Sequence, residues 1–390
     1  MCRFLPTTST AELTQSQVYK GREPILLSHL ILDPAHSILT QSYDSRLRLD
    51  TRRPHNGDGF GVGYYTPHHP SYPYTALLGP SPCIFTSTIP AWNCINLSRL
   101  ASKTVSPLVF AHVRASTEGA LADSNCHPFS RGSLMWMHNG GIGGWNAGVK
   151  RRLVLDVGER WFGGVQGSTD SEWAFALFLD SLEKMGYDPD DEVLQEKGFG
   201  HSVLRKAILK TIERINGYIR ALPEEVRRGN EADTRSLLNF AVADGHSVVC
   251  TRYVSSKTDE AASLFFSSGT SWREQGGSAT PAGAKDYRME RRDKGADIVL
   301  VASEPLTFER ENWVTVPTNS TLTIHNQTVL IHPIVDEFYS PSPSLKRSAK
   351  FAATKGQSTT NAVKAAGQMG LSRENSVEGL RAEIGRLGGV

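Results

Sequence analysis

The chain has 390 residues, of which 39% are apolar and 21% charged, with a formal net charge of +2. That length supports one large domain or two average ones with ample core. No run approaches the roughly 18 consecutive apolar residues of a membrane-spanning helix, so no membrane role is expected. The five cysteines (Cys2, Cys83, Cys94, Cys126 and Cys250) include no C-x-x-C pair, and no basic-then-apolar leader opens the chain, so a reducing, cytoplasmic setting without disulfides, metal or cofactor is expected.

In chain order, the polar stretch 5–17 reads as a loop and Glu23–Leu32 as a short helix ending at Asp33-Pro34. Gly59–Tyr65 is a glycine-alternating strand, Leu108–Arg114 an apolar one, and Ser133–His138 a third that stops at the turn signal Asn139-Gly140-Gly141. Glu172–Met185 carries apolar residues at 173, 174, 177, 178 and 182, and Val203–Ile219 at 204, 208, 212, 215 and 219, both with helical period. Strands then return at 237–243, 248–254, 264–267, 298–302, 313–316, 321–325 and 329–334, around an aperiodic, glycine-rich loop from Gly269 to Gly295. Strands, two helices and strands again, without βαβ alternation, predict an α+β domain with antiparallel sheets over residues 1–339. From Ser340 to Val390, eight Lys/Arg stand against three Asp/Glu with one aromatic, Phe351. This reads as a disordered, solvated basic tail with no nucleic-acid role, and a short helix near 377–387.

Several segments could carry chemistry. Removal of Met1 would leave Cys2 with a free α-amine, a nucleophile and a base of pKa about 7.7–8.0 in one residue. Asn56-Gly57-Asp58-Gly59-Phe60-Gly61-Val62-Gly63 reads either as a phosphate-cradling loop, though no Lys-Ser/Thr follows it, or as a strand packed tightly against a neighbour. Arg114, ending an apolar strand, could clamp a carboxylate or form a structural ion pair. Asn139 and Gly140 could aim a side-chain amide and a backbone N–H at one oxyanion, or make a type I′ turn. Asp170, in Gly167-Ser168-Thr169-Asp170-Ser171-Glu172, could bind an ammonium; Ser or Asp there is otherwise a helix cap. The three histidines 112, 127 and 138 lack the carboxylate or cysteine spacing of a metal site.

Met-Cys-Arg-Phe at the terminus, Asn-Gly-Asp-Gly-Phe-Gly-Val-Gly-Tyr, Ala-His-Val-Arg-Ala-Ser-Thr, Asn-Cys-His-Pro-Phe, His-Asn-Gly-Gly and Ser-Thr-Asp-Ser-Glu stand in the order found in class II glutamine amidotransferase domains. The chain resembles that family over about residues 1–335, most closely the amidotransferase-like branch of fungal glutathione-degrading (Dug) complexes, which Leu47-Arg48-Leu49, Arg52-Arg53-Pro54 and Ala302-Ser303-Glu304-Pro305-Leu306 also resemble. The resemblance implies an Ntn-hydrolase four-layer αββα sandwich with two stacked antiparallel sheets. It implies Cys2 as nucleophile, Asn139 and Gly140 as oxyanion hole, and Arg114, Thr117 and Asp170 as binders of the α-amino acid end of a γ-glutamyl substrate. It also implies hydrolysis of glutathione to glutamate and cysteinylglycine, with a metallopeptidase-like subunit as partner. Glutamine hydrolysis feeding ammonia to a separate synthetase, another γ-glutamyl substrate, and a non-enzymatic partner-binding domain are the alternatives. In one respect the chain departs from the branch. There, a segment like Met1–Leu5 is expected to run straight into one like Val18–Gly21, whereas here Pro6–Gln17 intervenes.

Overall fold

The computed structural model describes residues 13–43, 56–66, 81–115, 121–228, 233–275, 285–291, 296–307, 312–340 and 347–360. Its strands are β1 (Leu13–Leu26), β2 (Phe60–Tyr64), β3 (Cys83–Ser87), β4 (Val105–Ala115), β5 (Phe129–Arg131), β6 (Leu134–Gly141), β7 (Leu237–Ala243), β8 (Val248–Arg252), β9 (Phe265–Gly269), β10 (Ser271–Glu274), β11 (Tyr287–Glu290), β12 (Ile298–Ala302), β13 (Val314–Thr315), β14 (Ser320–His325) and β15 (Thr328–Pro333). Sheet I has the order β13-β9-β12-β1-β4-β2-β3, sheet II the order β15-β14-β8-β7-β6-β5, and β10-β11 is a separate hairpin. All the neighbouring strands in both large sheets pair antiparallel.

Strand alternation divides the core into three. Leu108 and Phe110 of β4, Val18 of β1, Val299 and Val301 of β12, Met135 and Met137 of β6 and Val248 of β8 fill the space between the sheets. Val109, Ala111 and Val113 of the same β4 face outward under Leu27, Leu30, Ile31 and Leu97 of short helices. On the far side, Trp136, Leu238 and Phe240 of sheet II face the helices Asp170–Lys184 and His201–Arg220 through Phe178, Leu182, Leu204, Ile208 and Ile215. The result is four layers, α-β-β-α, with two stacked antiparallel sheets, as expected.

Four expectations need correcting. Residues 13–17 are strand rather than loop, and the segment read as a helix over Glu23–Leu32 is the end of β1 followed by one turn, Ser28–Ile31. The polar content that suggested a loop arises because Gln15, Ser16 and Gln17 meet polar groups rather than a hydrophobic layer. The glycine-rich loop contains β10 and β11, whose Trp272, Tyr287 and Met289 pack on the outer core. The segment read as a disordered tail includes an ordered piece, residues 347–360. Its helix Lys350–Thr354 buries Phe351 and Ala352 against Leu237, Val254 and Ala261, and Arg347 donates to the carbonyls of Ser256 (2.6 Å) and Asp259 (3.0 Å). One buried aromatic and one half-buried guanidinium anchor a stretch whose composition is otherwise that of a solvated chain. The helix expected near 377–387 lies outside the described residues.

Candidate active site

Strand direction gathers the candidate residues at one end of the sandwich. β4 and β6 finish there with Arg114 and Asn139-Gly140, β12 finishes there and leads into Ser303, and the antiparallel β1 starts there. The same alternation that sends Leu108 and Phe110 between the sheets also sends His112 and Arg114 there; from β6, Met135 and Met137 are followed by Asn139. Arg114 and Asn139 thus enter one inter-sheet space from opposite sheets.

Arg114 is fully buried. Its backbone is fixed by the glycine-rich segment: Asp58 N–H donates to Arg114 O, and Arg114 N–H to Gly59 O, both at 2.9 Å. That segment is therefore strand pairing and not a phosphate cradle. A Cβ on Gly61 would stand 2.0 Å from His127 O and one on Gly63 2.3 Å from Met135 Sδ, so these glycines let the two sheets approach.

Behind Arg114 lie two buried histidines, His112 Nε2 and His127 Nδ1, 2.9 Å apart. Burial, and secondarily the charge of Arg114, pushes the His112 pKa down to about 3; burial and then His112 push His127 well below its ordinary value. Both imidazoles are neutral near pH 7, and Arg114 supplies the fixed positive charge that a carboxylate would seek.

The expected turn at Asn139-Gly140 is corrected: β6 continues through Gly141, with Asn139 paired to Asn239 and Gly140 to Leu238. Gly140 has φ +148°, and a Cβ there would lie 1.9 Å from Leu237 O, so only glycine fits. Asn139 Nδ2 donates to Ser303 Oγ at 2.8 Å. Just past the strand, Ile142 N–H donates to Asp170 Oδ2 at 2.7 Å, and His138 Nδ1 lies 2.9 Å from Ser171 Oγ. The start of the helix Asp170–Lys184 is thereby pinned beside the oxyanion candidates. Its cap is neither Ser168 nor Asp170 but Thr169, whose side chain accepts from Glu172 N–H; Asp170 keeps its carboxylate for other partners.

The structure places Arg114, Asn139, Gly140 and Asp170 at one end of the sandwich, with Asp170 bonded to Ile142 just past Asn139-Gly140; Cys2 and Thr117 lie outside the described residues. Two residues at this end were singled out in the sequence only through the family resemblance, Ser303 and Glu304. Their signal is the end of an apolar strand followed at once by two polar residues, both buried. Among the described residues no cluster of three or more His, Cys, Asp or Glu is arranged to hold a metal ion, and no helix is long and apolar enough to cross a membrane.

A family model for class II glutamine amidotransferases matches residues 35–213. Over 356 residues the chain is 53% identical to the probable glutamine amidotransferase DUG3 of Saccharomyces cerevisiae, covering 91% of this chain and 90% of that one. Among solved structures, a glutamine aminotransferase class-II domain protein from Silicibacter pomeroyi is similar at 22% identity over 83% of this chain and 100% of that one, with a TM-score of 0.49. The glutamine phosphoribosylpyrophosphate amidotransferase from B. subtilis follows at 13% identity over 82% of this chain and 49% of that one, with a TM-score of 0.44.

Proposed function

The chain belongs to the class II glutamine amidotransferase family, and we propose that within it this protein is an N-terminal-cysteine hydrolase of the γ-glutamyl bond of glutathione, releasing glutamate and cysteinylglycine. The observation that carries the reading is the convergence of a buried Arg114, the Asn139-Gly140 pair and Asp170 at one end of the sandwich. Together they suit a free α-amino acid end joined through a γ-amide. Arg114 takes the α-carboxylate with Thr117 beside it, and Asp170 takes the α-ammonium. The Cys2 α-amine accepts the thiol proton, and the thiolate attacks the γ-carbonyl carbon. The Asn139 amide and the Gly140 N–H hold the oxyanion. The C–N bond then breaks, the leaving amine takes the proton from the α-ammonium of Cys2, and water hydrolyses the thioester to glutamate and the free thiol.

Glutathione and a metallopeptidase-like partner subunit come from the branch resemblance, and a cytoplasmic setting from the cysteine content of the sequence. Glutamine has the same amino acid end, so a glutaminase supplying ammonia to a separate synthetase is the competing reading. The deciding assay is glutamate release from glutathione and from glutamine side by side, with and without the partner subunit. Cys2-dependent release from glutathione is expected, with Cys2→Ala inactive. Release from glutamine alone would replace this reading with the glutaminase, and a fully active Cys2→Ala protein would refute both.

A further inference from the structure

We propose that Ser303 and Glu304 are positioning residues of this site, Ser303 orienting the Asn139 amide and Glu304 locking Ser303 to the outer layer and to the C-terminal segment. The proposal rests on the reading of Asn139 as an oxyanion donor.

An asparagine amide rotates in a broad, two-fold well, so its direction is set by its hydrogen-bond partners and not by its rotamer. Ser303 Oγ accepts from Asn139 Nδ2 and is itself flanked by Ser16 Oγ at 3.0 Å and Ser16 N–H at 3.3 Å. The Ser303 backbone is held on both sides: its N–H donates to Ser16 O (3.0 Å), and its carbonyl accepts from Ser263 Oγ (2.8 Å). The acceptor for the Asn139 amide is therefore a fixed point, reached across the gap between the two sheets.

Because strand residues alternate, Glu304 points to the opposite face of sheet I from Ser303, into the helix layer. There its buried carboxylate takes donors from three separate stretches of chain. Gln15 Nε2 of β1 lies at 2.8 Å from Oε1, His36 Nε2 at 2.9 Å from Oε2, and the Ser358 hydroxyl also donates to Oε1. Ser358 is tied down in turn, its carbonyl accepting from Ser263 N–H at 2.8 Å. The chain of bonds continues from His36 O to Gln41 Nε2 (2.9 Å) and from Gln41 O to Asn56 Nδ2 (3.1 Å), at the segment that pairs with Arg114. A buried carboxylate is costly unless its oxygens are saturated with donors. Only a group with two acceptor oxygens could join β1, the 32–37 loop, β12 and the C-terminal segment at one point. Two adjacent residues thus connect the oxyanion side, the Arg114 side and residues 347–360.

The test is a double-mutant cycle on glutamate release, run on the full chain with its partner subunit. Asn139→Ala is expected to lower kcat by about 10²–10³. Ser303→Ala should lower kcat roughly tenfold with KM little changed. The double variant should match Asn139→Ala alone within about twofold, because Ser303 acts through Asn139. Ser303→Thr, which keeps the hydroxyl, should restore most of the rate, and Glu304→Gln should lower kcat by less than Ser303→Ala. Multiplicative losses in the double variant, or Ser303→Ala at the wild-type kcat, would overturn the proposal. If Ser303→Ala does not fold, Ser303→Cys keeps the volume with only a weak acceptor and carries the same cycle. Should the wild type release no glutamate from either substrate, the functional reading fails first. The positioning claim is then decided by crystal structures of the wild type and Ser303→Ala: a turned Asn139 amide supports it, and an unmoved one overturns it.

Discussion

Arg114 and Gly140 have different tolerances, and each makes its own prediction. Arg114 is a buried guanidinium at a strand end, so Arg114→Lys keeps the charge but loses the planar fork. The expected result is a rise in KM for the γ-glutamyl substrate of about tenfold or more with a smaller change in kcat, read from initial rates. Gly140→Ala would force a Cβ to within 1.9 Å of a carbonyl oxygen at φ +148°. Loss of activity with a lowered melting temperature is expected there, and a fully active Gly140→Ala enzyme would remove Gly140 from the site. Arg114, Asn139, Gly140 and Asp170 each sit in a short motif that the sequence singles out, yet each motif also has a purely structural use, and it is the shared end of the two sheets that sets them near one another. Local chemistry did not single out Glu304 or His36, since their meaning lies in contacts between positions far apart in the chain. Asn139-Gly140 misled for the opposite reason: the dipeptide is a strong turn signal in isolation, and only the long register with β7 keeps it in a strand.

At the scale of elements, the periodic ones were read well. β7 and β12 fall on their expected residues, and the helices Asp170–Lys184 and His201–Arg220 differ from expectation by one or two residues at each end. The start of β1 was missed because Gln15, Ser16 and Gln17 meet polar groups, and the 347–360 segment because a single short apolar patch, Phe351 and Ala352, together with Arg347, holds an otherwise polar stretch. Both lead to predictions. In the register of β1 against β4, Thr14 stands opposite Arg114. Deleting residues 6–17 would join Leu5 to Val18 and bring Cys2 to the Thr14 position, beside the proposed carboxylate clamp. The deletion also removes Gln15 and Ser16, which hold Glu304 and Ser303, so the variant is expected to keep Cys2-dependent glutamate release at a lower kcat than the full chain, and a complete loss of rate would show that the intervening residues are needed. In the C-terminal segment, Phe351 lies in a buried cluster with the Arg235 guanidinium 3.9 Å from its ring centroid. Phe351→Ala should cost about 3–5 kcal/mol in denaturant unfolding; a change within about 0.5 kcal/mol would mean that the segment is not docked in solution.

For the molecule as a whole, the buried imidazoles set a pH dependence. His112 takes its proton near pH 6.5 when unfolded but only near pH 3 when folded, and His127 is shifted the same way. The unfolded state therefore binds more protons in that window. The stability contribution of neutral His112 is fully present above about pH 6.5 and is lost as the pH falls toward about 3, by about 1.4 kcal/mol per pH unit, and His127 adds a loss of the same sign. Unfolding free energies measured from pH 7 to pH 5 should decline with that sign, and His112→Gln should give a shallower slope; an unchanged slope would place the proton uptake elsewhere. The layered architecture also determines when the protein can be completed. β1 is the first strand among the described residues, yet it lies inside sheet I, with Gln17 paired to Ala302 on one side and to Ala111 on the other. One edge of the growing sheet stays open until the ribosome has passed residue 302, and contacts of such long sequence separation form slowly. Closure of this sandwich is therefore a late event in the life of the chain, and the nascent protein depends on protection of that edge until β12 arrives.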